Sequence, residues 1–269
     1  MALADWQTNA LVGPQGGGDF NIFDLHATQR YAVGTRVERA DGNVYVYGHF
    51  GEDCAAGTVV GPDTSEGGEL EGVDDAVLAP ADCVTTTDCT IGSKYIEMTN
   101  AGIVADEHAG GYIAIVSGTG VGYTYRIKGN TATGDPASGT VRIELYDPLQ
   151  VALDATSDVH IHGSKFAQLI KATGAGGENS IAIGVTCAAV DFSEQMYAWV
   201  QVKGVCCPLA DGTLVKGGGI TLSDGVAGAI QPLSGGSTAV ADLIDEREIG
   251  QVLIPDASTG QALCQVDFE

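Results

Sequence analysis

Basic residues are scarce in this chain of 269 residues: 12 Lys plus Arg stand against 35 Asp plus Glu, for a formal charge of −23. The deficit runs throughout, with 3 bases against 13 acids over residues 1–80, 5 against 10 over 81–165 and 4 against 12 over 166–269. Binding nucleic acid requires cationic groups that displace condensed counterions, so no segment has the charge of such an interface. Long apolar runs are missing too. Nowhere do about eighteen apolar residues follow one another, and MALADWQTNALVG lacks a basic-then-apolar leader. These absences predict a soluble protein made in a cytoplasm, with no membrane partner.

Catalytic grammar is equally thin. There is no Gly-x-Ser-x-Gly elbow and no His-Glu-x-x-His pair. The glycines of Ser117-Gly-Thr-Gly-Val-Gly122 suggest a phosphate loop, but that chemistry needs a helix N-terminus after them, and here a strand pattern follows. Carboxylates are abundant enough for some pair to lie close in space, which alone does not make a hydrolase. The acidic stretch GPDTSEGGELEGVDD (61–75) has six acids and no base, without the spacing of an EF-hand loop, and reads as a solvated loop. His160 and His162 share one strand face, yet Val159 and Ile161 form the apolar row opposite, so the histidines read as an outer row. No catalytic residue, metal ligand or cofactor site is predicted.

What the chain has is glycine, 39 residues, with 44% hydrophobic content. Disorder does not fit so apolar a composition, whereas short strands joined by frequent turns do. In Tyr123–Lys128, Tyr123, Tyr125 and Ile127 alternate with Thr124, Arg126 and Lys128, and Val141, Ile143 and Leu145 alternate with Arg142, Glu144 and Tyr146. This period of two marks half-buried strands. Arg39-Ala-Asp-Gly-Asn43 suits a hairpin turn between strands at 31–37 and 44–49. In Tyr197–Val202 the small row Ala198, Val200, Val202 is expected to face the core, leaving Tyr197, Trp199 and Gln201 for a partner or a second sheet. Thr238–Glu248 is the best helix segment.

The predicted fold is mainly β: two antiparallel sandwich- or barrel-like regions with an extended N-terminal arm. Residues 1–30 form the arm, 31–79 a β-hairpin region and acidic linker ending near Ala79-Pro80, 80–165 the first β domain and 166–269 the second. The arm carries apolar anchors among Gly, Pro, Asp and Asn, and Trp6, Phe20, Phe23 and the following Tyr31 are the candidate interface residues. Seven cysteines, at 54, 83, 89, 187, 206, 207 and 264, lack the paired spacing of zinc sites and read as mostly reduced core residues. A short hairpin could bridge Cys83 and Cys89.

The combination of AGGY (109–112), a Gly-rich turn, YRIKGNTA (125–132) and LYDPLQVAL (145–153) resembles tailed-bacteriophage virion proteins that decorate or cement the capsid. Ile183-Gly-Val185, Tyr197-Ala-Trp-Val-Gln-Val-Lys-Gly204, Ala210-Asp-Gly-Thr-Leu214 and Ser223–Gly228 are similar to the YxWVQxKG and ADGT regions of the same proteins. The likeness spans roughly residues 80–254. It implies a head-stabilising structural protein, not an enzyme, that binds the major capsid protein as a homotrimer. The net acidity then places it on the outer capsid surface of the virion, away from the genome. Two other classes fit a β-rich acidic chain: a phage tail or surface glycan-binding module stacking sugars on the Tyr197/Trp199 row, and a β-fold polysaccharide hydrolase or lyase.

Overall fold

A computed structural model of the chain describes residues 21–62, 73–77, 88–99, 103–134, 139–154, 156–174, 181–233, 247–255 and 260–268. These form sixteen β-strands and no helix, so the all-β expectation holds. The 238–248 helix segment and the expected boundary at 79–80 fall on or beside residues outside that set. The chain divides into two compact units, residues 1–65 with 166–269 and residues 66–165. The second is therefore an insertion within the first.

The host unit is a ten-stranded sheet. Its strands are β1 (Arg36–Glu38), β2 (Val44–His49), β3 (Val59–Pro62), β10 (Leu169–Lys171), β11 (Gly184–Thr186), β12 (Tyr197–Cys206), β13 (Gly219–Leu222), β14 (Ile230–Pro232), β15 (Gly250–Ile254) and β16 (Leu263–Asp267). Ten-residue β12 is the hub. Along one edge it pairs with β2, and along the other with β11 and then β16. The Asp41-Gly42 turn joins β1 to β2 as expected, with Gly42 at φ 83° and the Arg39 amide donating to the Asn43 carbonyl. Strand β1 begins only at Arg36, because residues 31–35 turn back at Gly34, whose φ of 85° no extended strand allows.

The inserted unit contains β4 (Val73–Val77), β5 (Tyr95–Thr99), β6 (Tyr112–Ser117), β7 (Thr124–Asn130), β8 (Thr140–Leu145) and β9 (Asp158–His162), in the order β4-β9-β6-β7-β8-β5. Period-two alternation holds in its central meander from Thr124 on, whereas Tyr123, grouped with the inward row, precedes β7 and is 41% exposed. Tyr125, Ile127, Val141, Ile143 and Leu145 are buried together with Ile96, Met98, Ile113, Ile115, Val159 and Ile161 in one core. Each fully buried aliphatic side chain here contributes about 1.5–3 kcal/mol. The intervening residues point away from that core. The turn between β6 and β7 uses positive φ at Gly118, Gly120 and Gly122, and any Cβ at Gly118 would run into the Thr156 carbonyl. Its glycines thus serve a tight turn.

The strand pairing explains why an insertion is tolerated. Strand β3 leaves the host unit beside β10, which re-enters it, with Pro62 opposite Leu169. The inserted unit also begins and ends on neighbouring strands, since β4 pairs antiparallel with β9. A domain whose ends lie together can replace a hairpin loop with little disturbance of either fold. Glycine is required where this region packs closest: a Cβ on Gly61 would overlap the Ile181 carbonyl. The reading of 31–79 as a separate hairpin region is therefore corrected. Strands β2 and β3 are integral to the host sheet, and the units divide at Ser65/Glu66.

Among the described cysteines, 54, 187, 206, 207 and 264 are free thiols, whereas Cys89 is disulfide-bonded. The expectation of mostly reduced cysteines holds for those five. Cys83 lies outside the described residues.

Candidate interaction surfaces

The proposed arm anchors separate into three situations. Trp6 and Phe20 lie outside the described residues. Phe23 is 60% exposed, and Tyr31 packs inward. Residues 21–31 are fastened to their own host unit. Ile22 is buried beside Val37, Tyr45, Tyr47 and Trp199, and the His26 and Tyr197 backbones exchange a pair of hydrogen bonds at 2.9 and 3.1 Å. The Tyr31 ring meets Tyr47 edge-on at 5.2 Å and Trp199 at 5.3 Å. Phe23 thus projects from an anchored segment, while Tyr31 belongs to its anchor.

The small row Ala198, Val200 and Val202 is buried as expected, but the Tyr197/Trp199 row, expected to meet a partner or a second sheet, packs into this aromatic cluster of its own unit. Trp199 is 1% exposed, and Gln201 is buried as well. Tyr47 stacks nearly parallel to Tyr197 at 6.0 Å and tilts against Trp199 at 5.1 Å. From Ala198 to Val202 both faces of β12 are buried, which removes Trp199 as a sugar-stacking platform.

His26 closes the cluster, its Nδ1 lying 3.0 Å from the Tyr47 hydroxyl. Burial, then the charge of Arg30, lowers its pKa, against an opposing pull from Asp24. Burial also pushes the Tyr47 hydroxyl up to about 12, so it stays neutral. A histidine whose folded pKa is depressed stabilises the fold above its unfolded value near 6.5, and that contribution is lost as pH falls from there toward the folded pKa. His49, near Tyr197, is lowered by burial and acts in the same direction. The melting temperature of the host unit should accordingly fall between pH 7 and pH 5, and His26→Gln should flatten that fall. An equal slope in the variant would show that His26 does not carry this pH dependence.

The second surface lies on the outer face of the inserted sheet. Tyr112 sits directly opposite Arg126, Tyr95 opposite Glu144, and Glu97 opposite Arg142. Tyr112, Tyr146 and Tyr95 are 49%, 44% and 38% exposed. The Arg126 guanidinium lies 5.1 Å from the Tyr146 ring centre, and that of Arg142 lies 5.4 Å from Tyr95. Lys128 bonds Glu144 at 2.6 Å, and Lys94 donates to the Tyr146 carbonyl. His160 joins this outer row opposite Ala114, as its alternation with Val159 and Ile161 implies. One face thus gathers Arg126, Lys128 and Arg142 from a chain with 12 cations in all, set among three tyrosines.

Arg142 is the best-fixed of these cations. Its Nη2 lies 2.7 Å from Glu97 Oε1 and 3.0 Å from Asp88 Oδ2, both carboxylates being buried. Burial pulls the guanidinium pKa down, but the Glu97 hydrogen bond and the Asp88 charge outweigh it and hold the net shift upward. The bridge braces β5 against β8 and positions Tyr95. Sequence reasoning assigned these alternate positions to the outer side of the strands without marking them as a surface. The signal was available in Arg126 and Arg142, which share the outer row with aromatic neighbours.

Among the described residues no group of three or more His, Cys, Asp or Glu side chains is arranged to hold a metal ion. Comparison with protein-family models, with curated proteins and with solved structures gave no match.

Proposed function

We propose that this protein is a structural component of a tailed-phage virion that decorates the outer capsid surface, binding the major capsid protein as a homotrimer without catalysing a reaction. The observation that carries this reading is the tyrosine–arginine face of the inserted sheet. Tyr and Arg are the residues most enriched where protein interfaces concentrate their binding energy. The sequence resemblance supports it through the same strands, since YRIKGNTA contains most of β7 and LYDPLQVAL starts at the end of β8. The charge of −23 favours the outside of a shell filled with DNA. The mechanism is mass action: a ligand that binds the expanded lattice more tightly than free or immature subunits stabilises that lattice.

Co-sedimentation with expanded capsids lacking the protein tests this. The wild-type chain is expected to pellet at fixed stoichiometry. The double variant Arg126→Ala, Tyr146→Ala should bind at least about tenfold more weakly, as loss of an interface hot spot does. Failure of the wild type to bind shells, together with retention on host polysaccharide, would replace this reading with glycan recognition.

A further inference from the structure

The odd, irregularly spaced cysteines acquire a meaning only through the register of β12 and β16. Cys206 and Cys264 are directly opposed on these antiparallel strands, so their side chains share one face. Both meet the same core, Cys264 within it and Cys206 packed against its edge. Opposed Cα atoms in antiparallel pairs sit about 4.5–5.5 Å apart. A disulfide spans about 4.4–6.8 Å. Both are free thiols, in a chain that already holds one disulfide at Cys89.

We propose that Cys206 and Cys264 form a redox-closable staple that joins the hub strand β12 to the C-terminal strand β16. Small disulfides of the glutathione class are the oxidant. The Cys206 thiolate, partly accessible at the edge of the core, attacks one sulfur of the small disulfide and expels one thiolate. The Cys264 thiolate then attacks the Cys206 sulfur of the mixed disulfide and expels the second. Two protein thiols are oxidised, one small disulfide is reduced to two thiols, and the two protons pass to the leaving thiolates through solvent.

Burial raises the pKa of both groups, Cys264 to about 11 and Cys206 further. The reactive thiolate is therefore scarce at neutral pH. Closure is slow there and accelerates about tenfold per pH unit over pH 7–9, in proportion to the thiolate fraction. The pair accordingly survives reduced in a glutathione-buffered cytoplasm and closes on long exposure to an oxidising medium. The bond would close a segment of about sixty residues, from which a rise in melting temperature of about 5–10 °C is expected. This inference does not depend on the virion reading.

The test uses the full chain as purified, with the Cys89 disulfide intact, incubated with oxidised glutathione at pH 8.5 and then alkylated, digested and mapped by mass spectrometry. A Cys206–Cys264 cross-linked peptide is expected, with the accompanying rise in melting temperature. The variant Cys206→Ser, altered at the partly accessible position, should show neither. Glutathione attached to exposed Cys207 alone, with Cys206 and Cys264 both alkylated, would overturn the proposal. So would a cross-link from Cys206 to Cys187 or Cys207.

Discussion

Trp199→Ala is expected to lower the stability of the host unit by about 4 kcal/mol, within the range for truncating a fully buried large aromatic. The indole lies near the start of β12 and touches Tyr47 from β2 and Tyr31 from the N-terminal segment. Its removal leaves a cavity where these elements meet. It therefore costs both the transfer free energy of the ring and the packing of its neighbours. Denaturant unfolding should show the loss, accompanied by protease cleavage after Arg30 in the native baseline as residues 21–31 detach. Tyr31→Ala, at a half-buried ring, should cost less than half as much. A loss below about 1 kcal/mol for Trp199→Ala would mean that the cluster is not a packed core.

In the inserted unit, Arg142→Met is expected to cost about 3 kcal/mol. Removing one member of a buried ionic group is expensive because its partners remain charged without compensation. Here those partners are Glu97, wholly inaccessible, and Asp88, nearly so. The value sits at the low end of the usual range because the Arg142 side chain keeps 30% exposure. The pairing of Glu97 with Arg142 should make the effects non-additive. Adding Glu97→Gln to Arg142→Met removes one of the two buried carboxylates that lose the guanidinium and should recover at least about 1 kcal/mol, measurable as a double-mutant cycle. Strict additivity would show that the carboxylate is solvated and the bridge ornamental.

The legible parts of the fold are those that local pattern encodes. Tyr125, Ile127, Val141, Ile143 and Leu145 could be assigned to a core because β7 and β8 bury one face only, and a one-sided strand writes its burial as a period of two. The same rule misassigned Trp199. Strand β12 has neighbours on both edges and, from Ala198 to Val202, cover on both faces, so alternation of size there no longer reports alternation of exposure. The insertion was invisible for a different reason. The acidic run at 63–75 signals an exit from the host fold, but the pairing of Pro62 with Leu169 spans more than a hundred residues and leaves no local trace. Register carries the same kind of hidden information for Cys206. Its sequence neighbour Cys207 lies past the end of β12, while Cys264 lies directly across from Cys206.

The surfaces show a comparable division. Phe23 was identifiable as an aromatic in a polar context and is exposed, whereas Tyr31, eight residues later, is consumed by its own core. Composition could not separate them, because the difference rests on contacts with Tyr47 and Trp199 from distant strands. The tyrosine–arginine face was encoded as the polar half of an alternating pattern. Its character emerges only when β5, β6, β7 and β8 are set in register, bringing Tyr95, Tyr112, Arg126, Arg142 and Tyr146 onto one side.

The most direct measurement is cryo-electron microscopy of expanded capsids saturated with the purified protein. The account predicts ordered density on the outer shell, with the β5–β8 face of the inserted unit, including Tyr112, Arg126 and Tyr146, turned toward the major capsid protein. Saturated shells without added density, or density in which that face points into solvent, would contradict it.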